Sequence, residues 1–134
     1  MRMARSAVAV LLVAMAGCSS RGGAGTSGET VTLTVRHSRF TPSTVEVRPG
    51  ATVRLVVRNL DPIAHELIVG DKGVQNLHEA GTETSHYHRP GEVSVPAGAT
   101  VETTYTFPRS GTVLLGCHLP GHWAYGMRGT VRVV

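Results

Sequence analysis

Cys117, His122 and Met127 stand in the order Cys-x4-His-x4-Met, inside the run Gly116-Cys117-His118-Leu119-Pro120-Gly121-His122-Trp123-Ala124-Tyr125-Gly126-Met127. A thiolate, an imidazole and a thioether in one loop are three of the four donors of a copper site built from two histidines, one cysteine and a weak axial methionine. One more histidine completes the set. His65 is the candidate, because it opens the apolar stretch His65-Glu66-Leu67-Ile68-Val69, far enough upstream to lie on a different strand of the same fold. The thiolate and the imidazoles suit both Cu(I) and Cu(II), while the thioether favours the reduced ion. The four residues read as a mononuclear site holding one copper per chain. No catalytic residues and no small-molecule substrate are expected.

Something must carry these donors to one place, and the composition points to strands. The chain has 134 residues, one domain in length. Val and Thr dominate its apolar and neutral positions, Gly is abundant, and few residues favour long helices beyond the N-terminus. Short alternating or β-branched runs recur between Gly and Pro punctuation: 31–36, 44–47, 52–59, 65–69, 92–95, 100–107, 112–116 and 129–134. Turn signals such as Arg48-Pro49-Gly50, Asp61-Pro62, Pro96-Ala97-Gly98 and Arg109-Ser110-Gly111 separate them. About eight strands at this spacing predict an all-β Greek-key sandwich or barrel over residues 31–134. The segment from Gly70 to Gly91 is long and polar, and predicts a loop with a helical turn around Val74 to Ala80.

The N-terminus reads as an export signal. Arg2 and Arg5 precede an uncharged apolar run from Ala7 to Ala16 that is too short for a stable membrane span. Its end, Met15-Ala16-Gly17-Cys18, resembles a bacterial lipobox, which would leave Cys18 lipidated as the new N-terminus. The alternatives are an ordinary cleaved secretory signal and an uncleaved anchor. Residues 1–18 are therefore assigned to the signal, and Gly-, Ser- and Thr-rich residues 19–30 to a flexible linker. The expected location is the bacterial cell envelope or periplasm, with the protein tethered to the membrane by lipid.

Charge and cysteine content narrow the function. Of 13 Lys and Arg, two lie in the signal, leaving 11 against 9 acidic residues, so the mature chain is only about +2. The basic residues are scattered, which argues against a nucleic-acid partner. With Cys18 acylated, Cys117 has no cysteine to pair with. A lone thiol exported to an oxidising compartment is a liability unless a metal occupies it.

The ligand motif, His65 and the opening pattern from Phe40-Thr41-Pro42 to Val45-Glu46-Val47-Arg48-Pro49-Gly50 resemble the cupredoxins, the small blue copper proteins of the plastocyanin, azurin and rusticyanin kind. The spacing of Cys117, His122 and Met127 is closest to the rusticyanin pattern. The resemblance implies that His65, Cys117 and His122 form a trigonal plane about copper, with Met127 as a long axial ligand. It also implies electron exchange with a redox partner protein of the envelope, docked around His122. Leu119, Pro120, Trp123 and Tyr125 would then form an apolar rim; packing of Trp123 and Tyr125 over the copper loop is the alternative. Pro120 lacks an N–H and so limits the donors that approach the thiolate. Glu66 departs from the family, which commonly has Asn or Ser there to tie the two ligand loops; a carboxylate cannot donate, so the backbone N–H is left for that task.

The remaining histidines carry less. His86-Tyr87-His88, with His78, places two imidazoles on one side of an extended segment, a spacing that can grip a second metal. That site would favour a copper-binding or delivery protein of copper homeostasis over a one-electron carrier. His118 matches half of the His-Cys-His sequence of multicopper oxidases, but Gly116 occupies the other flank, and His118 reads as a strand-end or surface residue. His37 reads as surface.

Overall fold

Alternation with period two governs the strands. In β4 (Thr52–Asn59) Val53, Leu55 and Val57 are buried while Thr52, Arg54 and Arg58 face outward, as expected of a strand with one face on a core. The computed structural model describes residues 28–81 and 89–134. Besides β4, the strands are β1 (Glu29–Val35), β2 (Phe40–Thr41), β3 (Thr44–Val47), β5 (His65–Gly70), β6 (Glu92–Val95), β7 (Thr100–Thr106), β8 (Gly111–Gly116) and β9 (Arg128–Val133). Among the described residues two short helices, α1 (Lys72–Glu79) and α2 (His122–Tyr125), interrupt them. One sheet has the order β2-β1-β4-β7 and the other β3-β9-β8-β5-β6. The all-β sandwich expected from the sequence is therefore present. A single apolar core draws Leu33 and Val57 from the first sheet and Leu67, Leu115 and Val131 from the second.

All eight expected strands appear, with ends shifted by no more than two residues. β1 begins at Glu29, so the expected linker over 19–30 ends earlier. Glu29 and Thr30 are drawn into the sheet because they pair in parallel with Val53 and Arg54. The expected signal over 1–18, Cys18, most of the linker, His86 and His88 lie outside the described residues. Among the described residues no helix is long and apolar enough to cross a membrane.

Strand pairing positions the site. β8 runs antiparallel to both β5 and β9, with Ile68 opposite Gly116 and Gly116 opposite Arg128. The start of β5, the end of β8 and the start of β9 consequently meet at one end of the sheet. His65 is the first residue of β5, Cys117 follows β8, and Met127 precedes β9.

β5 is buried along its whole length, which is unusual for an antiparallel strand and has a specific cause. Leu67 and Val69 point into the core, whereas the opposite face lies under α1. Asp71 caps α1 by accepting the Val74 N–H at 3.0 Å. Gln75, the buried residue of that helix, donates from Nε2 to the carbonyls of Ile68 (3.2 Å) and Leu114 (3.3 Å). It thereby straps the helix across β5 and β8.

Gly116 makes room for this outer layer. A Cβ there would meet Gln75 Oε1, Trp123 Cζ3 at 2.7 Å and His118 Nε2 at 2.9 Å. Gly116→Ala is expected to force all three side chains apart and to destabilise the fold by about 1–3 kcal/mol, as overpacking commonly does. Chemical unfolding with the midpoint compared to wild type checks this; an unchanged midpoint would show that the layer yields freely.

Candidate metal centre

His65 and Cys117 are fully buried and His122 is half-buried, and one ligand atom from each lies within 4.8 Å of the other two. His65 Nδ1 stands 3.2 Å from His122 Nδ1, which is itself 3.3 Å from Cys117 Sγ. Two nitrogens bound to one ion at about 2.0 Å, at an angle of roughly 100–120°, would stand about 3.1–3.5 Å apart. The observed separation has that size.

The ring orientation of His65 is set from behind. Its Nε2 donates to Asp61 Oδ2 at 2.9 Å, so its Nδ1 presents a lone pair to the other two groups. Burial holds the His65 pKa below the ordinary value, and His122 adds to that effect, outweighing the pull of Asp61 in the other direction. Two imidazole nitrogens and a sulfur converging in a buried pocket form a donor set that a cation would fit. The donor chemistry, soft sulfur plus imidazole, is that of copper.

Cys117 is poised as a thiol. Burial pushes its pKa up to about 11, against the lowering effect of the Leu119 and Glu66 backbone N–H groups. A metal that binds sulfur as thiolate must therefore displace a proton. The Glu66 N–H does approach the sulfur, as the sequence reading left open.

The loop that carries Cys117, His122 and Met127 is closed by its own backbone. Cys117 N–H donates to Met127 O at 3.1 Å, and Met127 N–H donates to His122 O at 2.9 Å. Gly121 and Gly126 bracket α2 with φ of 82° and 104°. Both are left-handed conformations that a side chain would strain. Met127 is fully buried and belongs to the same core cluster as Cys117.

Three readings made from the sequence need correction or completion. Glu66 does tie the ligand loops through its side chain: Oε1 accepts the His118 N–H at 2.6 Å. The link needs an acceptor, which a carboxylate supplies. His118 is not a surface residue, since its side chain is only 2% exposed. Its ring stacks on Trp123 at 4.8 Å, with Nδ1 at 2.7 Å from Glu79 Oε2 and Nε2 at 2.7 Å from Gln75 Oε1. The layer recruits it because α1 covers this face of the sheet. The rim around His122 divides: Tyr125 is 62% exposed, while Trp123 and Leu119 are partly buried.

His78, proposed for a second metal site, lies on α1 with Nδ1 at 2.9 Å from Val74 O and Nε2 at 3.5 Å from Glu92 Oε2. Among the described residues it joins no second cluster of metal-binding groups. Asp61, which the sequence reading took only as part of a turn, is the residue that reading missed. Its spacing of four from His65, across Pro62, was the available signal.

Glu66→Ala should leave the His118 N–H without its carboxylate acceptor in a buried setting, at a loss of about 1–3 kcal/mol. Glu66→Gln keeps an acceptor oxygen and should retain most of the stability. Equilibrium unfolding of both variants checks the pair, and equal losses would contradict the acceptor role.

Known proteins resemble the chain in sequence and in fold. The chain is similar to the copper-resistant cuproprotein CopI of Rubrivivax gelatinosus, 38% identical over 99 residues, 71% of this chain and 59% of the relative. It thus spans about six tenths of that relative's length. The protein of the same name from Pseudomonas aeruginosa is 26% identical over 126 residues, covering 70% of each chain. In fold the chain resembles auracyanin B, with a TM-score of 0.67 at 21% identity over 79% of this chain and 88% of that one. Auracyanin from Roseiflexus castenholzii gives 0.67 at 19% identity over 80% and 98%. The family model for a cupredoxin-like domain matches residues 7–85, a span that takes in His65 and stops before Cys117. With that match over more than half its length, and with the C-terminal ligand loop folded beside His65, the chain belongs to the cupredoxin-like domain family.

Proposed function

We propose that the protein binds one copper ion through His65, Cys117 and His122, with Met127 as the weak axial donor, and serves as a one-electron carrier of the bacterial cell envelope rather than as an enzyme. The convergence of two imidazole nitrogens and one sulfur at the end of a rigid sandwich carries the reading. Copper there would supply a Cu(II)/Cu(I) couple. The protein's part is to hold its donors still: each ligand is fixed by sheet pairing, by the closed loop or by a hydrogen bond from behind. Little nuclear rearrangement then accompanies the change of charge. His122, half-buried on α2, gives the outward edge at which a redox partner protein of the envelope would dock. Export and lipid tethering rest on the N-terminal pattern ending at Cys18.

The optical spectrum of the copper-loaded protein, with copper counted per chain, tests this. An intense thiolate-to-copper band at one copper per chain is expected, and Cys117→Ser should abolish it, because a hydroxyl cannot supply that charge transfer. Met127→Leu should keep the copper and raise the reduction potential; an unchanged potential would make Met127 a core residue only. A Cys117→Ser protein that stays intensely blue would sink the assignment.

A second reading, copper homeostasis, is favoured by the relatives named copper-resistant cuproproteins. In that case the chain would hold or hand on copper, with His78, His86 and His88 adding capacity. Copper above one per chain, lost when His86 and His88 are replaced by Ala, is the expected mark of it. A stoichiometry of one that the double replacement leaves untouched would exclude the extra site.

A further inference from the structure

Asp61 is buried, and its carboxylate is fully engaged. Oδ1 accepts the His37 N–H at 2.7 Å, while Oδ2 accepts the Ser38 N–H at 2.8 Å and the His65 Nε2–H at 2.9 Å. The first two donors are consecutive backbone groups at the tip of the β1–β2 hairpin. Arg36 and Arg39 exchange both backbone hydrogen bonds across that tip at 3.1 Å. His37 and Ser38 both have φ of 51°, the left-handed pair of a two-residue primed turn, where Asn-Gly is the usual occupant. Successive N–H groups in such a conformation form a concave cradle for an anion. Here the anion is a side chain of the same protein, and its other contact is a metal ligand.

The loop bearing Asp61 is equally fixed. Asp61 N–H donates to Asn59 Oδ1 at 2.9 Å, and Asn59 Nδ2 donates to the carbonyls of Ile63 at 2.8 Å and Pro96 at 3.0 Å. The carboxylate is thus held beside His65 from both its hairpin and its own loop.

We propose that Asp61 is a positioning residue for His65: seated on the His37–Ser38 turn, it fixes the imidazole with Nδ1 toward the metal and, as an anion on the far nitrogen, strengthens that donor and favours Cu(II) over Cu(I). The proposal rests on the copper reading above. An anionic partner on the second nitrogen raises a ligand's basicity, and losing such a partner commonly costs 10- to 100-fold in metal affinity. The divalent ion, which depends more on a basic donor, bears the larger share of that loss.

The test is a redox titration of copper-loaded Asp61→Asn beside wild type, with Glu46→Gln as a control for removing a negative charge at an exposed position of β3, where Glu46 pairs with Arg132. Asp61→Asn should keep one copper per chain and the thiolate band while its Cu(II)/Cu(I) affinity ratio falls about tenfold, a rise of roughly 59 mV for one electron. Glu46→Gln should leave the potential in place. A copper-loaded Asp61→Asn with wild-type potential, or equal shifts in both variants, would overturn the role of Asp61 while leaving the copper reading intact. A wild type that takes up no copper would overturn both. Should Asp61→Asn fail to fold, nitrogen-15 NMR of the wild-type Cu(I) protein decides: a slowly exchanging His65 Nε2–H is expected, and a His65 protonated at Nδ1, or exchanging as fast as exposed His37, would refute the proposal.

Discussion

The backbone pairing of β8 with β5 on one side and β9 on the other is the constraint on which the centre depends. Antiparallel neighbours bring the start of one strand beside the end of the next. That brings residues 65, 117 and 127 to one end of the sheet, although 52 positions separate the first two. A metal site assembled from loops alone would pay the ordering entropy of each ligand separately. Here most of that cost is met by folding the sheet, and only the Cys117–Met127 loop needs its own devices. Those devices are two backbone hydrogen bonds across the loop and two left-handed glycines.

Around the three donor atoms runs a polar layer that is satisfied group by group. Asp61 holds His65, Glu66 holds the His118 backbone, and Gln75 holds β5, β8 and the His118 ring. Buried polar groups with partners add rigidity, whereas the same groups without partners are costly. α1 is what makes the layer possible, because it turns an otherwise solvent-facing side of β5 into an interior. Two arginines extend the arrangement outward: Arg39 lies over the Tyr125 ring at 4.1 Å and Arg128 near that of Trp123 at 5.5 Å. Such stacking steadies the aromatic side chains of α2 from both flanks.

Much of this was legible in the sequence, and the boundary of legibility is physical. β3, β4 and β6 were read with their observed ends because their β-branched residues lie between clear turn signals. β2 has two residues and α2 has four, both too short to show a period. The candidate ligands stood out because a Cys-x4-His-x4-Met spacing is local and His65 opens an apolar run, and the fold brings His65, Cys117 and His122 together. Glu66, His118 and Asp61 were harder for a common reason. Each has a role defined by a partner distant in sequence or by backbone groups, and residue type alone does not reveal either. A carboxylate beside a metal ligand was judged by what it cannot donate, whereas the fold uses what it can accept.

The uneven burial around the centre has a consequence for metal traffic. His65, Cys117 and Met127 are buried where the ends of β5, β8 and β9 meet. α2 contains no buried residue, and it supplies the one half-exposed donor, His122. Of the candidate donors His122 is the nearest to solvent, so an ion would approach the pocket from the side of this single helical turn. That turn is the outer wall of the site, and the sandwich is its floor.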